Sequence, residues 1–532
     1  MDKLPPEILI RIISYLVPDN GMGLPITSIA KPWKKHGSIA HLATVSKLWQ
    51  HHVERQTFQE LFLSTQRLKA AGRIVTSQRL EYVRLVDLEV VLDAYDEAAA
   101  CRVENEADKA SNNQCFTQSL DALFALLHKL DAPNSNNSHD RVLRLRAYSP
   151  SDPWRCPDWP RIRRTRMNGL TDNILNARFD QSYLDLLGPL KSRIDCFSTF
   201  CVPDPVEQDL KYRRISPSAC CRIAAKLGKL DKIIWHLSDN EKKDVSLRKA
   251  LRRDFAERLA DLPQSLKRVV LHYTRTPPRN HKHSPTNILD TGDFAGDRLS
   301  TALRKLCKGL VTVDIKASLE HNFLVPRGSE HDSTDAAQWP NMQTLNLTLS
   351  AVTPSGNWLF DQHPDAIEDE EAWLEADNLM DDKPDAPAEE DWRLYEFRGA
   401  PNLTTIKPWF LAAAKAASDM PLLTELKIES GCGTTPKSYR PYCAVRYSAQ
   451  APLLEIASTP VLDADQELEE AWRNTALCQS PNRGALVIEY NEAKDRQDPG
   501  PVSVSAQLST TRRPHFGGGL VQSDDTNKRD KY

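Results

Sequence analysis

The chain has 532 residues, with 69 Lys and Arg against 72 Asp and Glu, a formal net charge of −3 and 40% apolar residues. That length holds about two to four ordinary domains, or one small module followed by a repeat array. The near-neutral charge supplies no overall attraction to nucleic acid or acidic membrane. Eleven irregularly spaced cysteines do not read as a disulfide framework. No run of about eighteen apolar residues is present to span a bilayer, and Glu7 and Arg11 interrupt any leader-like start. The expectation is a soluble, reduced protein of the cytoplasm and/or nucleus that uses neither membrane nor nucleic acid as a partner.

The first predicted element begins at Leu4-Pro5-Pro6-Glu7. Prolines start a helix without needing their missing N–H groups, and Glu7 suits the positive end of the helix dipole. Ile8, Leu9, Ile12, Ile13 and Leu16 then recur at helical spacing as an apolar stripe. After a stretch containing Gly, Pro and Trp33, the positions Leu42, Val45, Trp49 and Val53 predict a second amphipathic helix. A few short helices within about sixty residues have a marginal core of their own, which suits a docking element. An ordinary helical hairpin packed on the next domain has the same pattern.

The Leu-Pro start, the Ile-Leu pair and Val45-Ser46-x-x-Trp49 together resemble the F-box. The resemblance implies an all-helical module over residues 1–58 that docks on a Skp-type adaptor subunit and, through it, on a cullin scaffold. It assigns that contact to Leu4, Pro5, Ile8, Leu9, Ile12, Leu16, Val45, Ser46 and Trp49. Residues 18–38 make the middle of the module longer than the family pattern.

Beyond the module, the pattern L-x-x-L-x-L, with aliphatic or aromatic substitutes, recurs six times. It appears at Leu80-Val83-Leu85, Leu230-Ile233-Trp235, Leu266-Val269-Leu271, Leu310-Val313-Ile315, Met342-Leu345-Leu347 and Leu423-Leu426-Ile428. Each reads as a short strand of period two. Pro263, Pro340 and Pro421 precede three of them at similar offsets. Helical patterns fall between the strands at 216–227, 244–262 and 295–310, and Phe116, Leu120, Leu123, Leu127 and Leu130 mark another. Further strands are expected at 143–145, 194–197 and 486–490. Parallel strands joined by helical crossovers predict an irregular leucine-rich-repeat-like α/β solenoid over 59–490. A non-repetitive α/β domain built on a parallel sheet is the alternative. On solenoid geometry, the side chains that alternate with the buried ones are candidate contacts for a client protein: Arg84, His272, Asp314, Lys316, Asn346, Thr348, Lys427 and Glu429.

A second resemblance runs through Ala147-Tyr148-Ser149-Pro150, Leu262-Pro263-Gln264-Ser265-Leu266, Leu299-Ser300-Thr301-Ala302-Leu303 and Phe397-Arg398. These segments look like the uncharacterised region that follows the F-box in many filamentous-fungal proteins, a family that defines no catalytic residue. Residues 361–391 carry fourteen acidic side chains against Lys383 and read as a solvated loop insertion. Arg155, Arg161, Arg163, Arg164 and Arg166 beside Trp154 and Trp159 read as a surface cluster or an import signal. Residues 491–532 read as a polar tail. His36, His41, His51 and His52 lack ligand spacing for a metal, and no nucleophile, phosphate-loop or cofactor motif is present. The expected function is therefore that of a non-enzymatic substrate receptor, without cofactor, in a cullin-RING ubiquitin ligase. A structural interaction module with no role in degradation, or an unrecognised enzyme, are the rival readings.

Overall fold

The computed structural model describes residues 5–16, 39–100, 102–130, 140–152, 155, 182–204, 206–207, 210–278, 280–290, 296–325, 339–362, 398–432, 441–479 and 485–493. Leu4, Arg161 to Arg166, the acidic stretch beyond Gln362 and most of the expected tail lie outside these residues.

One sheet of twelve strands dominates: β1 (Glu60–Ser64), β2 (Leu85–Val91), β3 (Val142–Tyr148), β4 (Thr199–Val202), β5 (Lys232–Ser238), β6 (Arg268–Thr274), β7 (Thr312–Ala317), β8 (Thr344–Leu349), β9 (Glu425–Gly431), β10 (Tyr442–Ser448), β11 (Leu453–Thr459) and β12 (Val487–Glu492). The order of the strands across the sheet is their order along the chain. Pairing is parallel from β1 to β9, antiparallel between β9, β10 and β11, and parallel again from β11 to β12. The fold is thus mixed α/β with a large, mostly parallel sheet.

Alternation along each strand explains the layers. In β8, Leu345, Leu347 and Leu349 are buried while Thr344, Asn346 and Thr348 are only half-buried. Register carries this across the sheet: Val269, Val313, Leu345 and Leu426 form one buried row, and Leu271, Ile315, Leu347 and Ile428 the next. Those rows join the apolar faces of the crossover helices in one core. The helices are α3 (Glu106–Leu130), α4 (Pro217–Ala224), α5 (Val245–Arg258), α6 (Arg298–Cys307), α7 (Leu403–Ser418) and α8 (Gln466–Gln479). Asp244, Asp297 and Asn402 cap the N-termini of α5, α6 and α7 by accepting a backbone N–H three residues on. The prolines act at the entry to the strands. Pro263 O accepts from Leu266 N at 3.1 Å, and equivalent turns join Trp339 to Met342 and Met420 to Leu423.

The N-terminal residues add two helices, which for continuity we call αA (Pro6–Leu16) and αB (Lys47–Thr57), with a short 3-10 turn at Ile39–Thr44. Leu9, Ile13, Trp49 and Val53 form their own small core. Ser46 caps αB, accepting from Trp49 N at 3.4 Å. Two residues, Phe58 and Gln59, connect αB to β1.

Several expectations need correction. Leu80 lies in a helix (Ser77–Tyr82), and β2 starts only at Leu85, so Val83, Val86 and Leu88 supply the buried positions there. Ile194 makes only an isolated bridge to Leu227, and the strand forms later, at β4. The hairpin of β10 and β11 was not anticipated as an antiparallel element. Its four-residue connection is too short for a crossover, which forces the reversal. β12 runs to Glu492, into the segment expected as tail. Among the described residues, no helix is long and apolar enough to cross a membrane.

Candidate functional site

Two surfaces concentrate the predicted site residues. The first is the outer face of αA. Ile8 is 45% exposed, Leu16 49% and Val45 46%, and Ile12 and Tyr15 are exposed as well. Pro5 is exposed at the helix start, where its carbonyl accepts from Ile8 and Leu9. Helical spacing aligns Ile8, Ile12 and Leu16 along one side, while Leu9 and Ile13 turn inward.

Leu9 and Trp49 therefore do not offer a surface to a partner. Leu9 is fully buried and Trp49 is 7% exposed, and both pack inside the module. Ser46 is occupied as a cap. Trp49→Ala is expected to destabilise the module by about 3 kcal/mol through the cavity it leaves. Hydrogen exchange of the αB amides measures this, and unchanged protection would contradict the internal packing.

The second surface is the face of the sheet opposite the helices. His272, Asp314, Lys316, Asn346, Thr348, Lys427 and Glu429 all project from it in adjacent register positions. Arg84 does not, because it precedes β2 and serves through its carbonyl, which accepts from Val142 N at 2.7 Å. Asp87 takes the expected place on this face.

Ion pairs organise the two ends of the face. At β2 and β3, Arg146 grips Asp87 with Nε and Nη2 at 3.2 and 2.6 Å and donates to Tyr212 Oη at 2.7 Å. Arg155, from the basic cluster seen in the sequence, lies 4.2 Å over the Tyr148 ring and pairs with Glu89 at 3.3 Å. At β9 and β10, Glu429 accepts from Lys427 at 2.7 Å and from Tyr442 at 2.6 Å. Burial alone would raise the Glu429 carboxyl, but these donors outweigh it and hold the group below its usual range. Burial and the Glu429 charge push the Tyr442 phenol up.

Between the two ends, the His236 and His272 rings lie 4.4 Å apart. Burial, and then the neighbouring ring, lower His236 to about 4, so it is neutral at neutral pH. His272 is lowered by burial and by Lys316. Asp87, Arg146, Tyr212, His236 and Tyr442 were missed from the sequence, although the alternate positions of β2, β3, β5 and β10 contain four of them.

The fully buried charges have a different setting. Arg213 pairs with Asp152 at 2.6 Å and Glu104 at 2.9 Å. Arg248 and Arg252 share Asp239 at 2.7 and 2.9 Å, and Arg252 reaches Asp297 at 3.1 Å. Asp152 and Asp239 follow the C-terminal ends of β3 and β5, so these clusters tie the strand ends to helices and loops. Among the described residues, no group of three or more His, Cys, Asp or Glu side chains is placed to hold a metal ion. The arrangement leaves half-buried and exposed polar side chains on the β6 to β9 part of the face, buried residues including Val142, Cys201 and Ile234 on its β3 to β5 part, and exposed apolar side chains along αA. No model of a known protein family matches the chain, and no curated protein does.

Proposed function

We propose that the chain is an F-box substrate receptor of a cullin-RING ubiquitin ligase, holding a Skp-type adaptor through αA and a client protein through the open sheet face. The observation that carries this is the exposed strip of Ile8, Ile12, Leu16 and Val45 beside a closed core of Leu9, Ile13, Trp49 and Val53. Apolar side chains lined up outside a finished core gain most by docking on a complementary groove. The Val45-Ser46-x-x-Trp49 resemblance to the F-box names the class of partner. The sequential strand order, with crossover helices packed on one face, supports a leucine-rich-repeat-like solenoid whose other face is open to a client. Ubiquitin chemistry would be supplied by the conjugating enzyme, and this chain would raise the local concentration of client lysines.

Combining Ile8→Asp with Ile12→Asp is expected to weaken binding of a purified Skp-type adaptor by about tenfold or more, with the melting curve unchanged because both positions are exposed. Titration of the purified proteins measures this, and full affinity in the double variant would remove the proposal. Client abundance after loss of the protein separates a degradative role from a purely structural one.

A further inference from the structure

The two edges of the sheet differ. At β1, strand alternation turns the carbonyls of Phe62 and Ser64 away from β2, and Arg67 takes both. Its Nη1 donates to Phe62 O at 3.2 Å and its backbone N donates to Ser64 O at 2.9 Å. At β12, Val487 N and Ala493 N donate toward β11, to Pro452 O and Ser458 O. Alternate residues of a parallel ladder turn both backbone groups to the same side, so Ile488, Tyr490 and Glu492 direct N–H and C=O away from the sheet. Among the described residues, these outward groups meet no hydrogen-bond partner. The register with β11 is unbroken over six pairs and β12 contains neither proline nor lysine, so no bulge, proline or lysine blunts this edge.

Side chains give the β12 edge a sign. Glu489 and Glu492 are exposed and point to opposite faces of the strand. Glu455, the register partner of Glu489, already has Arg446 at 3.1 Å. Among the described residues, Glu489 receives only the Asn491 side-chain amide, at 3.5 Å, and Glu492 has no ion pair. Ile488 and Tyr490 lie between them, half-buried against the core. We infer that this edge accepts an extended segment of a basic protein partner as a further strand, with Lys or Arg opposite Glu489 and Glu492 and an apolar residue opposite Tyr490. Such a segment has its basic residues three apart, on opposite faces. Main-chain bonds to the outward groups supply the affinity, and the two carboxylates supply the choice of partner. The β12 strand of a second copy is the wrong occupant, because it would set its own carboxylates against Glu489 and Glu492. This docking needs neither the αA contact nor the client face proposed above.

The probe is a capped, fluorescently labelled Val-Lys-Val-Thr-Lys-Val peptide, titrated against the full chain by anisotropy. Affinity is expected to fall about tenfold or more with glutamate in place of both lysines, with every backbone amide of the peptide N-methylated, and in Glu489→Lys. Glu492→Pro removes one outward N–H and no ladder bond, so its melting curve is expected to stay unchanged while peptide affinity falls. Equal binding of the N-methylated peptide overturns the inference, as does an absence of preference over the glutamate peptide. Full affinity in both variants, with unchanged melts, overturns it too. Binding that appears only once residues 494–532 are removed, or a dimer of the free chain that Glu492→Pro dissociates, would show the edge filled by the chain itself and would equally sink the inference.

Discussion

Leu345→Asp is expected to destabilise the protein by about 5 kcal/mol. Leu345 is wholly buried, with the equally buried, apolar Val313 and Leu426 as its register neighbours. The neighbouring substitution Asn346→Asp turns to the other face and should cost only about 0.5–1 kcal/mol. That smaller cost has its own cause: the new carboxylate would stand directly opposite Asp314. It should grow as pH rises through the carboxylate range, where both groups become charged. Urea melts of the two variants give the comparison, and equal losses would contradict the two-faced sheet.

Asp239→Ala is the second large effect, at about 4 kcal/mol. Asp239 is wholly enclosed, and its removal leaves Arg248 without its bidentate partner and Arg252 with Asp297 and the Ser318 carbonyl. Stranded guanidinium groups cannot reach water without opening the end of β5 and the start of α5. The same pair sets a dependence on pH. Burial alone would raise the Asp239 carboxyl, but Arg248 and Arg252 outweigh it and hold the group below its ordinary range. Its contribution is therefore fully present above about pH 4 and is lost as pH falls through the lowered native value. Chemical denaturation at neutral and acid pH reads both results; a loss under about 1 kcal/mol at neutral pH would mean that the arginines find other partners.

How much of this was legible in the sequence follows from the range of each interaction. The rows through Val269, Val313, Leu345 and Leu426 were readable because alternation is local and prolines mark three of the four strand entries. Arg84 was misplaced because Val83 fits both the pattern starting at Leu80 and the true one continuing to Val86 and Leu88. β10 escaped because Cys443, Ala444 and Val445 are buried in succession, which erases the alternation. Helical period located Leu9 and Trp49 on apolar faces, but period alone does not distinguish a face turned to a sister helix from one turned outward. Membership of the open face could be read for seven candidates, whereas the pairing of Glu429 with Tyr442 joins two strands whose register no local pattern specifies.

The two residues between αB and β1 have a mechanical consequence. Phe58 N donates to Glu54 O, Gln59 O accepts from Arg84 N and Leu85 N, and Arg79 clamps Glu54 at 3.1 and 2.6 Å. The join is thus a bracket and not a tether. If αA is held by an adaptor, the open face is carried at a fixed angle and stand-off, like a tool on a rigid arm. Which lysines of a client come within reach would then be selected by where they sit on the client's surface, and lengthening this join with glycine and serine would blur that choice without altering either grip.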